Sequence, residues 1–437
     1  MRKNLFKKVL ALTLASTMAF SMAGCGSKGG SSDAKNDDGT ITLNVWHQWS
    51  NDTNELKSKY EEAVKAYEKE NSGVKIKTET LDTEAYKTKI NAEFAGDAKG
   101  IDVFYWWGAG TAKKLVDAGK VMALDDYVTD DVKSKILEGS TSAFEFDGKL
   151  YSVPMFSWYM TLFCNKTMFD KAGATLPTTY DELVDAVKKL KKLDGVTPMA
   201  AGAKDGWNAA FVYQALALRE VGATGVNEML SGKKEFGDEG FKKAAQKVSD
   251  LYEMGAFGDN PLEQGNDDAN AAFENGKAAM RLMGSWFANN VYTDDAATIK
   301  PEEVVALKIP TIADGKGEAT DYCGGFVESF WVNNNTKYKE EAAKFCIYIN
   351  EKMGVASYET GSGFSGWTTP ADESNLNPLF IQIKDLLAEG KQGVLAWDTS
   401  LESEPAAVHN EQVQTLFADG ADIDAFIDEH KAAINGK

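Results

Sequence analysis

Positive charge is scarce in this chain of 437 residues. Lys and Arg number 47 against 66 Asp and Glu, a formal net charge of −19 at pH 7. Such a balance argues against nucleic acid or an anionic lipid surface as a partner. Cysteine is nearly absent, with four in all and no CxxC spacing, which argues against a disulfide framework and a zinc ribbon. There are three histidines and no HExxH, so no metal is expected. No GxxxxGK[ST] occurs, so any ATPase must be another chain, and no GxSxG occurs. Residues 361–366 spell GxGxxG. That fingerprint needs a strand before it and a helix after it. Here a helical pattern precedes and Trp367-Thr368-Thr369-Pro370 follows, so no cofactor is expected. Beyond the N-terminus no apolar run is long enough to cross a membrane.

What is present begins with an export signal. Arg2, Lys3, Lys7 and Lys8 precede an apolar stretch from Val9 to about Ala23. The stretch is short and ends in small residues, which reads as a signal peptide over residues 1–24. Met22-Ala23-Gly24-Cys25 resembles the lipobox of bacterial lipoproteins, although Met stands where Leu is usual. The resemblance implies lipidation at Cys25 and a place on the extracellular face of the cell membrane, held through lipid alone. Loss of those four basic residues takes the charge from −19 to −23. Residues 25–39, rich in Gly, Ser, Asp, Asn and Lys, cannot bury enough surface to fold and read as a tether. Cys164, Cys323 and Cys346 remain, an odd set expected to be buried and inert.

From Thr40 onward strand and helix patterns alternate, which predicts an α/β fold. Ile41–Trp46, Val74–Thr78 and Ile101–Tyr105 read as strands of a mostly parallel sheet. Asn54–Glu70 is amphipathic, with Leu56, Tyr60, Ala63, Val64 and Tyr67 on one face. Tyr86–Phe94 and Thr111–Ala118 read as helices. A crossing is read at Lys149–Pro154. Thr178 or Thr179 caps a helix, with Asp181 or Glu182 three residues on. Further helices are read near 207–220, 241–254, 338–350, 405–418 and 423–434. Strands are read at 304–310 and 326–332, with a second crossing or loop at 311–320.

Several segments carry a resemblance in fixed order. They are ITLNVWHQW (41–49), GIDVFYWWGAG (100–110), AGKVMALDDYV (118–128) and GKLYSVPMFSWYMTLFCNKTMFDKAG (148–173). LPTTYDEL (176–183), FENGKAAMRLMGSW (273–286) and GSGFSGWTTP (361–370) follow. Together they resemble the family 1 extracellular solute-binding proteins, the maltodextrin-binding-protein-like group. Cys164 departs from the family pattern, which has an aromatic there. The resemblance implies a type II periplasmic-binding-protein-like fold, with two hinge-linked lobes and a ligand cleft between them. Lobe one is expected at 40–150 plus 311–365 and lobe two at 151–310 plus 366–437. It further implies a monomer that binds a carbohydrate and delivers it to ABC permease subunits served by a separate ATPase.

The residues themselves point the same way through tryptophan placement. In open α/β sheets, ligands bind beyond the carboxyl ends of strands. Trp46, Trp49, Trp106 and Trp107 stand at predicted strand ends, with His47 and Gln48 between the first pair and Asn44 and Ser50 nearby. Flat indole faces suit the C–H faces of pyranose rings, and a few polar groups set orientation. Trp158 follows the first crossing, and Trp207 and Trp367 lie near loops. Trp286 sits in a GxW motif that the resemblance ties to sugar stacking. Tyr322 adjoins Gly324-Gly325, where backbone can approach a ligand. For each aromatic the alternative is core packing; Trp331 reads as core and Trp397 stays open. No catalytic residue is expected. A glycoside hydrolase needs two carboxylates flanking the bond, and pairs such as Asp125-Asp126 or Glu402 with Glu404 read better as solvated acids. An adhesive lipoprotein, the third class, would not need a deep aromatic cleft. The aromatics hint at an oligosaccharide.

Overall fold

The computed structural model describes residues 39–51, 54–293 and 297–436. The signal peptide, Cys25 and the tether up to residue 38 lie outside the described residues. The first elements follow the hydrophobic periodicity closely: β1 (Ile41–His47), α1 (Glu55–Glu70), β2 (Val74–Thr80), α2 (Thr83–Ala95), β3 (Val103–Trp107) and α3 (Ala109–Asp117). Short α4 (Asp130–Lys135) and the hairpin β4 (Glu145–Phe146) and β5 (Lys149–Leu150) lead to β6 (Phe156–Asn165). Then come α5 (Lys166–Ala172), α6 (Tyr180–Leu190), β7 (Thr197–Ala200), α7 (Gly206–Leu230), α8 (Glu239–Glu253), α9 (Asn266–Glu274), β8 (Ala278–Gly284), α10 (Phe287–Thr293) and β9 (Val304–Leu307). The last stretch holds β10 (Asp321–Val332), α11 (Lys339–Glu359), β11 (Phe364–Ser365), α12 (Pro378–Ala388), β12 (Gln392–Val394), α13 (Trp397–Ser400), α14 (Ser403–Thr415) and α15 (Ile423–Asn435).

The main sheet runs β2-β1-β3-β10-β6-β8-β7, with β9 and β11 on β6 and β12 on β10. Only part of it is parallel, contrary to the expectation of a mostly parallel sheet. β1 pairs parallel with β2 and β3, as βαβ crossovers require. β10 lies antiparallel to both β3 and β6. It returns from the far half of the chain, so no helical crossover fixes its direction.

Two long strands join the halves of this sheet. In β6, residues 156–159 face β10 while residues 160–164 face β8. In β10, residues 324–328 face β6 while residues 328–332 face β3. No strand is expected over the segment 156–165 from the sequence pattern. Its sequence, FSWYMTLFCN, is buried on both faces and shows no alternation. At the start of β10, Gly324 has φ +136°, and a Cβ there would lie 2.0 Å from the Trp158 carbonyl oxygen, so only glycine fits. Arg219 of α7 secures the preceding segment by donating to the carbonyls of Ile309, Glu318 and Asp321.

The capping box on α6 uses Thr179 and Glu182. Cys164, Cys323 and Cys346 are free and buried, and burial pushes all three thiols up, Cys323 to about 12, so they stay inert. Trp331 and Trp397 are core residues at 0% and 1% exposure. The segment before Gly361 is helical, as α11, and Trp367 follows a two-residue strand rather than a helix start. Among the described residues no helix is long and apolar enough to cross a membrane.

Candidate ligand-binding site

Trp46 registers with Phe104 in the parallel pair of β1 and β3, so β3 carries Trp106 and Trp107 past the carboxyl end of β1. Four rings run outward from there. His47 lies 5.0 Å from Trp49, Trp49 lies 5.5 Å from Tyr105, and Tyr105 lies 5.2 Å from Trp107, all between ring centroids. Trp106 meets Trp107 edge-on at 5.4 Å. The hydroxyl of Tyr86, on α2, reaches the carbonyls of Trp46 (3.2 Å) and Tyr105 (2.6 Å) and ties the strand ends together. Trp46, Trp49 and Trp106 are buried, whereas Trp107 keeps part of its surface open.

A second ring cluster comes from elements later in the chain. Trp158 of β6 stacks on Phe211 of α7 at 5.3 Å and meets Trp286 edge-on at 5.1 Å. Trp207, in the first turn of α7, lies 5.3 Å from Phe211 and 6.5 Å from Trp286. The Gly284-Ser285-Trp286 motif has a steric basis. The indole of Trp286 folds back so far that a Cβ on residue 284 would lie 2.0 Å from a ring carbon. Trp207 and Trp286 are half-buried and Trp158 is buried.

Lys87 of α2 connects the two clusters. Its ammonium lies 5.2 Å from the Trp107 centroid and 5.7 Å from the Trp207 centroid, within cation–π range of both. Two partly open indoles, Trp107 at the end of β3 and Trp207 at the start of α7, therefore border the same slot. Glu84, one turn earlier, pairs with Lys87 at 3.0 Å.

Polar groups around the slot are held in place from behind. Fully buried Arg281 donates to Asn270 Oδ1, Asn208 Oδ1, Asn266 Oδ1 and the carbonyls of Ala200 and Ala201. Asn208 therefore presents its Nδ2, which is buried and has no protein partner, like the neighbouring Trp207 Nε1. Gln48 Oε1, Trp106 Nε1 and Asn410 Oδ1 are likewise buried and unpartnered. Asn410 stands against Gly206, where a Cβ would lie 2.8 Å from its own. The backbone N–H of Trp49 donates to His47 Nδ1 at 3.2 Å, which leaves Nε2 as the hydrogen-bearing nitrogen. Burial, helped by the Lys57 charge, pulls His47 down to about 3, so the ring is neutral.

Carboxylates dominate the electrostatics. Glu328 of β10 registers opposite Trp107 and is 7% exposed. Burial pushes its carboxyl up to about 7, against the opposing pull of Tyr105, Trp107 and the Lys87 charge. Asp205, at the start of α7, accepts from the Asn266 backbone N–H at 2.7 Å. Its carboxyl is raised, first by burial and then by the charges of Glu84 and Asp267. Asp398 is raised by burial, with Lys87 opposing.

The eleven aromatic and polar candidates fall into four places. His47, Trp49, Trp106 and Trp107 lie in the first ring cluster, and Trp158, Trp207 and Trp286 in the second. Trp46 and Gln48 adjoin the first, and Trp46 carries Lys89 at 5.9 Å. Tyr322 and Trp367 make no ring contact with either cluster. Tyr322 packs edge-on against Tyr159 at 5.3 Å, in a separate hollow with Arg219, Ile309 and Ile383. Trp367 is 4% exposed, and its indole donates to the Pro154 carbonyl at 2.7 Å. Sequence reasoning missed Lys87, Asp205, Asn208, Arg281, Glu328, Asp398 and Asn410. Asp205-Gly206-Trp207-Asn208, opening a helix after a strand, was the one readable signal among them.

Comparison with known proteins supplies the context for this arrangement. The family model for the bacterial extracellular solute-binding protein matches residues 50–355. A multiple sugar-binding protein of Streptococcus mutans is 24% identical over 368 residues, 81% of this chain and 80% of that one. A solved structure from work on xylan utilization by Caldanaerobius polysaccharolyticus superposes with a TM-score of 0.86 at 36% identity, covering 90% of this chain and 100% of the other. A chitin oligosaccharide binding protein has the same fold, with a TM-score of 0.81 at 21% identity over 91% of this chain and 98% of that one.

Proposed function

The chain belongs to the bacterial extracellular solute-binding protein family, and from that premise we propose that it captures an oligosaccharide in the slot between Trp107 and Trp207 for an ABC importer. One observation carries the reading: partly open indoles from β3 and α7 lie on either side of Lys87. A pyranose ring has two flat C–H faces and a rim of hydroxyls. Indole faces match the former. The buried, unpartnered Trp207 Nε1, Asn208 Nδ2, Gln48 Oε1 and Asn410 Oδ1 match the latter. The expected site residues are Trp46, His47, Gln48, Trp49, Trp106, Trp107, Trp158, Trp207 and Trp286. Tyr322 and Trp367 belong at most to its periphery.

Two lobes, 40–150 plus 311–365 and 151–310 plus 366–437, close around the ligand by bending where β6 and β10 pass between them. Sugar that touches both lobes favours the closed form through that differential contact alone. The closed monomer docks on permease subunits driven by a separate ATPase, and lipid on Cys25 keeps it at the extracellular face of the membrane. The chain performs no catalysis of its own. A thermal-shift screen against xylo-, manno- and chito-oligosaccharides, with peptides and polyamines as controls, tests the reading, because a selective binder raises the melting point. A rise with one glycan series, and no cleavage products on prolonged incubation, is the expected result. A rise with the controls alone, or turnover, refutes it.

A further inference from the structure

We infer that the slot discriminates by ligand charge, accepting uncharged and amine-bearing glycans and rejecting those that carry a uronate next to the stacked ring. The inference rests on the carbohydrate reading above and narrows its ligand class. Carboxylates approach the slot from separate elements: Glu84 of α2 pairs with Lys87, Asp205 stands two residues before Trp207, and Glu328 of β10 registers opposite Trp107, with Asp267 of α9 and Asp398 of α13 within electrostatic reach of these groups. Their mutual proximity is visible in their effects. Asp205 feels the charges of Glu84, Asp267 and Lys87, and Asp398 feels those of Glu84 and Lys87.

Among the described residues, Lys87 and Arg281 are the cations that these acids act on or feel, and neither is free to receive a carboxylate. Lys87 is paired with Glu84 at 3.0 Å and lodged between two indoles. Arg281 has five N–H donors, and all five are spent, on Asn270, Ala200, Ala201, Asn208 and Asn266. Lys89, the next cation along α2, pairs with Glu93 at 3.0 Å. None of these three cations is therefore left to make a bidentate carboxylate clamp of the kind arginine makes. The groups left over, Trp207 Nε1, Asn208 Nδ2, Gln48 Oε1 and Asn410 Oδ1, are uncharged donors and acceptors, suited to hydroxyls that do both. An amine on the ligand would meet carboxylates, and a uronate would meet them too, with opposite sign.

The test is calorimetry at pH 8, above the raised Glu328 carboxyl, on the wild-type chain with matched trisaccharides. Neutral xylotriose, mannotriose and chitotriose are titrated first. Whichever binds is compared with three twins: one bearing a hexuronic acid, the methyl ester of that same twin, and an amine-bearing form. The uronate twin is expected to bind more weakly by on the order of tenfold or greater. The methyl ester, equal in shape but uncharged, should regain most of that loss, and the amine twin should bind at least as well as the neutral sugar. Glu84→Gln, whose side chain is 52% exposed, should narrow the uronate gap without harming the fold. Equal binding of the uronate and neutral forms overturns the charge inference alone. So does a methyl ester excluded as strongly as the acid, because shape would then be the cause. Silence from every neutral glycan overturns the carbohydrate reading, and this inference with it.

Discussion

Replacing Glu328 by Gln should stabilise the protein at alkaline pH and leave it nearly unchanged in acid. The backbone of residue 328 is paired with both β3 and β6, the side chain is 7% exposed, and burial raises the carboxyl from 4.5 to about 7. At 1.36 kcal/mol for each pH unit of separation, holding the ionised form in the fold costs roughly 3 kcal/mol. The sign follows from proton counting. Below pH 4.5 the side chain is protonated in folded and unfolded chains alike, and no cost arises. Between 4.5 and about 7 the folded chain binds more protons than the unfolded one, so stability falls as pH rises. Above about 7 the full cost remains. Glutamine keeps the size and cannot ionise. Thermal melts of wild type and Glu328→Gln at pH 4.5 and pH 8 read the effect directly. The variant's advantage should grow by a few degrees between the two conditions, given the size of the chain. Comparing the pair at each pH cancels every other titrating group. A constant difference across that range would refute a buried, raised carboxyl at this position.

Trp286→Ala should weaken sugar binding tenfold or more, about 1.4 kcal/mol, without unfolding the chain, as calorimetry and a melt would show together. Acidification should act through a buried histidine pair, in which His409 Nδ1 lies 2.9 Å from His430 Nε2 and His430 Nδ1 reaches the Phe426 carbonyl at 2.8 Å. Burial pulls His430 from 6.5 down to about 4 and His409 well below 6.5. Their contribution is therefore present above pH 6.5 and lost as pH falls through about 4. His430 alone should cost about 3 kcal/mol, and His430→Gln should flatten the melting profile over that window. Gly324→Ala should destabilise by at least about 2 kcal/mol in a denaturant titration, since its Cβ would collide with the Trp158 carbonyl.

The elements readable in the sequence were those with a solvent side. α1, α6, α8 and α15 each present a polar face, and their periodicity located them within a few residues. β6 and β8 are buried on both faces, so their sequences alternate with nothing. The antiparallel entry of β10 depends on where the chain arrives in space, which no local pattern encodes. The site divides similarly. Its tryptophans stood out because indoles at strand ends are unusual core residues. Lys87 sits at an ordinary position of an ordinary charged helix and gains meaning only when Trp107 and Trp207 close on it. Arg281 reads as a lone cation in an apolar strand, and its role appears only with the five acceptors that surround it. Trp367 looked like the other tryptophans by its glycine-rich setting, yet its indole is spent on the Pro154 carbonyl.

The most direct measurement is a crystal structure of the protein with the glycan that raises its melting point most. A sugar ring seated between the indoles of Trp107 and Trp207, with the Lys87 ammonium displaced toward Glu84, is the predicted result. A ligand lodged elsewhere, for instance beside Tyr159 and Tyr322, with Lys87 still held between the two indoles, would contradict the account.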